Sequence, residues 1–137
     1  MSLLTEDKFL SCDLLCSRLM QNSEILFSGF VNNRGRMITS GRNNSLYFHD
    51  EKSLEMFVME IALDFSMKNE FNDVLGAVEY AVTKRKDTNV RCIPMDEFIL
   101  VIIVKSHISV DGIVKKIYHT LSKFSKMEAS LDELISY

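Results

Sequence analysis

The stretch FILVIIV, residues 98–104, leaves this chain few options. Seven apolar residues in a row present no face to water, so a strand made of them must be covered on both sides. The run is far shorter than the ~20 residues a helix needs to cross a bilayer. What precedes it reads as a meander. After a break at Leu75-Gly76, AVEYAVTK alternates as a strand over 77–84, KDT turns the chain, and VRCIPM is a short strand whose Pro94 suits an end or an edge. Asp96 and Glu97 turn it again. Three strands joined by tight turns are antiparallel neighbours, and the all-apolar one belongs in the middle of its sheet, with helices on both faces.

The first half supplies the other elements. Thr5, followed by Glu6 and Asp7, caps a helix reaching about residue 22, with Phe9, Cys12, Cys16, Leu19 and Met20 at helical spacing. ILFSGFV and RMITS flank Asn32-Asn33-Arg34-Gly35, a hairpin signal whose Asn and Gly tolerate left-handed backbone. Residues 41–49 read as a loop. Asp50 or Ser53 then caps a helix over about 51–68, in which Leu54, Phe57, Val58, Ile61 and Phe65 form one apolar stripe. Met56, Met59, Leu63 and Met67 form a second, displaced stripe. A helix apolar on two sides has two surfaces to bury, one on the sheet and one on something else; a partner subunit is the favoured cover. A third helix begins at Ser109, with Lys115, Lys116, His119 and Lys123 facing water, and Ser130 with Glu133 caps a short terminal helix over 128–137. The expectation is an α/β (α+β) chain, a five-stranded antiparallel sheet with helices on both faces, in the order α-β-β-α-β-β-β-α, as a single domain over 1–137.

Composition narrows the function classes. A net charge of -3 speaks against a chain built to neutralise phosphates in bulk. Three cysteines (Cys12, Cys16, Cys92) at no framework spacing, with no signal peptide, predict reduced thiols and a cytoplasmic protein. No phosphate loop, nucleophile elbow or metalloprotease helix is present, so no catalytic residue is assigned. Cys12 and Cys16 lie one helical turn apart and could join Cys92 and a histidine (His49, His107 or His119) around a metal. Small thiols on an apolar stripe are more often core, and no metal or cofactor is expected.

The element order and two segments carry a resemblance. GFVNNRGRMITSG is similar to the opening strand pair of roadblock domains, in the profilin-like and longin-like group, with Gly35 where that family has a turn glycine. MEIALDFSMKNEFNDVLGAVEYAVTKR followed by IPMDEFILVIIV resembles a family of small uncharacterised archaeal proteins. The resemblance spans residues 5–124. It implies a homodimer through the crossing helix and adjacent edge strand, with Met56, Met59, Leu63, Met67 and Tyr80 at the interface. It also implies a non-enzymatic regulator or scaffold for a partner protein, such as a small GTPase or motor-type ATPase. The alternative is a sensory domain of PAS or profilin-like type, with a small ligand held between sheet and helices.

Charge is unevenly spread. Between Asp50 and Asp73 there are seven acids against two lysines, which reads as a solvated helix face. Arg34, Arg36 and Arg42 cluster on the hairpin, and Lys84, Arg85 and Arg91 on the meander. These six residues are the candidate partner contacts, should the two groups converge. Few aromatics lie near them, so nucleic acid is not the expected partner.

Overall fold

The computed structural model describes residues 6–43, 46, 48–95 and 97–108, together with Lys115 and His119. The chain runs α1 (Glu6–Met20), β1 (Ile25–Asn32), β2 (Met37–Arg42), α2 (Glu51–Asn69), α3 (Asn72–Leu75), β3 (Ala81–Lys84), β4 (Thr88–Met95) and β5 (Phe98–Lys105). Every strand pairing is antiparallel, in the order β2-β1-β5-β4-β3. The apolar run is the central strand, as its sequence requires.

Its side chains divide between two cores. Leu100, Ile102 and Val104 pack with Phe30, Ile93 and the α1 residues Cys12, Leu15, Cys16 and Leu19. Ile99, Val101 and Ile103 pack on the other face with Phe27, Val31, Val90 and the α2 residues Val58, Ile61, Ala62 and Phe65. A bulge between Ile25 and Phe27 shifts the β1–β5 register, so that Leu26 and Phe27 both join the α2-side core while Ile25 joins the other.

Polar contacts fix α1 on its face. The buried Ser28 hydroxyl donates to the Cys16 carbonyl at 3.2 Å, and Thr39 Oγ1 donates to Asp13 Oδ1 at 2.8 Å. Gly41 lets the end of α1 approach β2, because a Cβ there would stand 2.6 Å from Met20 Cγ. β2 continues to Arg42, where the sequence suggested a loop, because Gly41 and Arg42 pair with Ser28 and Phe27 of β1. Asp50 rather than Ser53 caps α2, its carboxylate accepting from the Ser53 amide at 2.7 Å. The same bond holds the Asp50 carboxyl below its ordinary range.

The meander strand is shorter than its alternation suggests. Only Ala81–Lys84 is laddered to β4. Residues 77–80 lie opposite the stretch containing Pro94, which has no N–H to continue the ladder. Just before the expected Leu75-Gly76 break the chain forms the four-residue α3, Asn72–Leu75, an element not expected from the sequence. The expected helices over 109–124 and 128–137 fall outside the described residues, apart from Lys115 and His119, which are helical and exposed.

Burial pushes the thiols of Cys16 and Cys92 up from 9.0 to about 12. A thiol harder to ionise when folded contributes stability that is intact below pH ~9 and is lost as pH rises towards ~12. The urea midpoint should therefore fall between pH 9 and 11, and a Cys16→Ala/Cys92→Ala variant should show a shallower fall over that range. Equal slopes in the two proteins would contradict the assignment.

Candidate protein-interaction surface

α2 carries apolar residues on opposite sides. Val58, Ile61, Ala62 and Phe65 are buried on the sheet, whereas Met56 (71%), Met59 (59%), Leu63 (64%) and Met67 (61%) are exposed. The second stripe read from the sequence is thus an uncovered surface, directed away from the core. It is bordered by Glu55, Glu60 and Asp64, the last paired with Lys68 one turn on. The β3 edge runs beside this helix: Ala81 and Thr83 share a small cleft with Glu60 and Asp64. Tyr80 and Val82 are half-exposed at that edge, and among the described strands only β4 pairs with β3.

Phe71, Val74 and Leu75 extend the apolar surface past the end of α2 and are among the most exposed large apolar side chains described. Sequence reasoning missed them as interface candidates because the Gly76 break hides that Phe71 lies one helical turn beyond Met67. The spacing Leu63, Met67, Phe71 is the signal that could have found them.

The hairpin turn lies against this surface. Asn32 Oδ1 accepts from the amides of Arg34 and Arg36, both at 3.0 Å, and the Gly35 amide donates to the Asn32 carbonyl. Gly35 is buried at φ +79°, and a Cβ there would stand 3.2 Å from Met59 Cα. Glycine is therefore needed twice: for the left-handed turn and for its seat on α2. The seat leaves two open grooves. One, of about 800 Å³, runs between the turn and α2 past Arg34, Ser53, Met56, Met59 and Leu63. The other, of about 570 Å³, is lined by Arg34, Arg36, Met37, Glu55 and Met59.

The six candidate cations do not form one patch. The β1–β2 turn lies at the end of the sheet where Asn32 pairs with Phe98, while the β3–β4 turn lies at the other end, where Thr88 pairs with Lys105. Arg34 and Arg36 thus sit diagonally across the sheet from Lys84 and Arg85. Arg42 is at the far end of β2. Arg91 stacks over the Tyr80 ring, 4.6 Å from its centroid.

The cysteines also fall apart. Cys92 belongs to the α2-side core, Cys12 and Cys16 to the opposite one, so the sheet separates them. No group of His, Cys, Asp and Glu among the described residues is placed to hold a metal. No described helix is long and apolar enough to cross a membrane.

These features define a roadblock-like fold: a five-stranded antiparallel sheet between helices, with the long helix crossing one face. Among solved structures the chain is similar to Myxococcus xanthus MglB, with a TM-score of 0.75, 14% identity and coverage of 95% of this chain and 96% of that one. It is also similar to a Roadblock/LC7 domain from Streptomyces avermitilis, with a TM-score of 0.64, 13% identity and coverage of 87% and 96%. The gliding protein MglB from Thermus thermophilus superposes at a TM-score of 0.68, with 8% identity and coverage of 91% and 96%. No family model matches the chain, and no curated protein matches it in sequence.

Gly35→Ala should lower stability by about 1–2 kcal/mol, since any side chain strains a left-handed backbone. Together with the Met59 contact this should reduce Tm by roughly 3–8 °C. Thermal melting followed by circular dichroism measures it; an unchanged Tm would mean that the turn relaxes to another geometry.

Proposed function

We propose that this chain is a non-enzymatic regulatory or scaffolding module of the roadblock type. In this reading it forms a homodimer through α2 and the neighbouring edge of β3, and the dimer binds a partner protein. A small GTPase is the first candidate class and a motor-type ATPase the second.

The observation that carries the reading is the uncovered stripe Met56, Met59, Leu63 and Met67, opposite the buried face of the same helix. Removing apolar surface from water is worth about 25 cal/mol per Å², so a self-complementary stripe favours association. Methionine suits such a surface because its flexible thioether adapts to a facing copy or to another partner. The β3 edge adjoins the same helix, and Tyr80 and Val82 add exposed apolar surface there. The fold shared with roadblock domains supports the regulatory class, and one MglB of this fold has a tetrameric arrangement.

Size-exclusion chromatography with light scattering tests the dimer. The wild type should elute at twice the chain mass, and Met59→Asp should be monomeric with unchanged circular dichroism, because this side chain has no part in the core. Leu63→Ala should weaken the dimer at least about tenfold. A monomeric wild type would refute the reading. For the partner, the wild type and Met59→Asp are compared as baits with purified small GTPases, with and without a non-hydrolysable GTP analogue. Binding that depends on nucleotide and is lost in the monomer is the expected result.

A further inference from the structure

Sulfur is spread unevenly between the interior and the surface. All three cysteines are buried. Met20 and Met95 pack against the α1-side core and Met37 against the other, each half-buried. Met1 and Met127 fall outside the described residues. Met56, Met59 and Met67 stand out from α2, each more than half exposed, and hold three of the four positions of the uncovered stripe. Leu63 at the fourth position is as exposed as they are, so an apolar surface here does not require sulfur. Among the described residues these three thioethers are the sulfur groups most open to water.

We propose that the stripe is a site of reversible methionine oxidation by hydrogen peroxide, and that sulfoxide formation at Met56, Met59 and Met67 separates the homodimer. The inference rests on the dimer reading above and adds its regulation. The thioether lone pair attacks one peroxide oxygen. An S–O bond forms, the O–O bond breaks, and the second oxygen leaves as water with both protons. Sulfur gives up two electrons and the peroxide takes them. The return step needs a thiol-dependent sulfoxide reductase, in which two thiols become a disulfide and the added oxygen leaves as water.

A thiolate reacts with peroxide before a thioether does, but the buried cysteines do not offer one. Burial pushes the thiols of Cys16 and Cys92 up to about 12, so they stay protonated near neutral pH. Glu55, Glu60 and Asp64 border the stripe and repel anionic oxidants, which leaves the neutral peroxide. Each sulfoxide turns a flexible apolar side chain into a polar one with a strong acceptor, costly to press against the apolar side chains of a second copy. Two-fold symmetry doubles every such change at the interface. The monomer exposes the stripe and the dimer covers it, so oxidation traps the dissociated chain by mass action. None of the three methionines belongs to either core, so the oxidised monomer keeps its fold.

The closing experiment treats the full chain with hydrogen peroxide at neutral pH. Peptide mass spectrometry over time should show Met56, Met59 and Met67 gaining oxygen at least about tenfold faster than Met20, Met37 and Met95. Light scattering should then show the dimer Kd raised at least about tenfold, with circular dichroism unchanged. The variant Met56→Leu/Met59→Leu/Met67→Leu keeps the volume and apolar character of the stripe. It should dimerise like the wild type and stay dimeric after the same treatment. A sulfoxide reductase with dithiothreitol should return the oxidised wild type to dimers. A wild type that stays dimeric with all three residues oxidised overturns the switch and leaves the dimer standing. Dissociation of the leucine variant by peroxide overturns it as well, as does oxidation that begins at the cysteines or the half-buried methionines. A wild type that is monomeric before peroxide is added removes both readings.

Discussion

β5 holds its place only while both of its faces stay dry. Three of its side chains, Leu100, Ile102 and Val104, depend on the α1 side, and three others, Ile99, Val101 and Ile103, on the α2 side. Burial of one aliphatic side chain is worth about 1.5–3 kcal/mol, so wetting one face would forfeit roughly 5–9 kcal/mol. That is comparable to the whole net stability of a small domain, about 5–15 kcal/mol. The central strand therefore demands a helix layer on each side, and the neighbouring β1 is nearly as demanding, with seven of its eight positions buried. The bulge near Leu26 and the Ser28 and Thr39 hydrogen bonds to α1 accommodate that demand locally.

Covering the α2 side with one long amphipathic helix has a consequence for the rest of the surface. The inward residues Val58, Ile61, Ala62 and Phe65 meet the sheet's requirement. Nothing in that requirement explains Met56, Met59, Leu63 and Met67, which point the other way. Acids border them on both sides, so each monomer keeps a soluble rim around an apolar strip. The hairpin turn is tied to the same helix through Gly35 and Met59, so the position of Arg34 depends on how α2 lies on the sheet.

Period and turn chemistry made most of this fold legible in the sequence. FILVIIV could only be central, the Asn32–Gly35 signal could only be a tight turn, and both stripes of α2 were visible at helical spacing. What stayed hidden depended on pairing rather than on pattern. AVEYAVTK alternates over its full length, yet only its second half is laddered, because a strand is defined by the partner beside it, and Pro94 stands in that partner. Whether the two arginine-rich turns share an end followed from strand order alone, which no local signal encodes; the register puts them at opposite ends. Phe71, Val74 and Leu75 escaped notice because a glycine break reads as the end of an element, not as a place where apolar residues are displayed.

The two edges of the sheet are not equivalent, and the difference bears on what kind of association the surface allows. Among the described strands, β2 and β3 each have a single partner. Along β2 no large apolar side chain is exposed, and Ser40 and Arg42 face water, so an incoming strand would find hydrogen bonds but no apolar surface to bury. The β3 edge instead adjoins the helix that carries the stripe, and Tyr80 and Val82 add exposed apolar surface to it. Four residues ending in Lys84 make a short edge, too brief to template open-ended pairing without that added apolar area. Association that needs an edge and a stripe together can be satisfied once per molecule. In the proposed dimer such association would close as a two-fold pair rather than grow into a fibre, because the β2 edge offers the next copy no apolar surface to use.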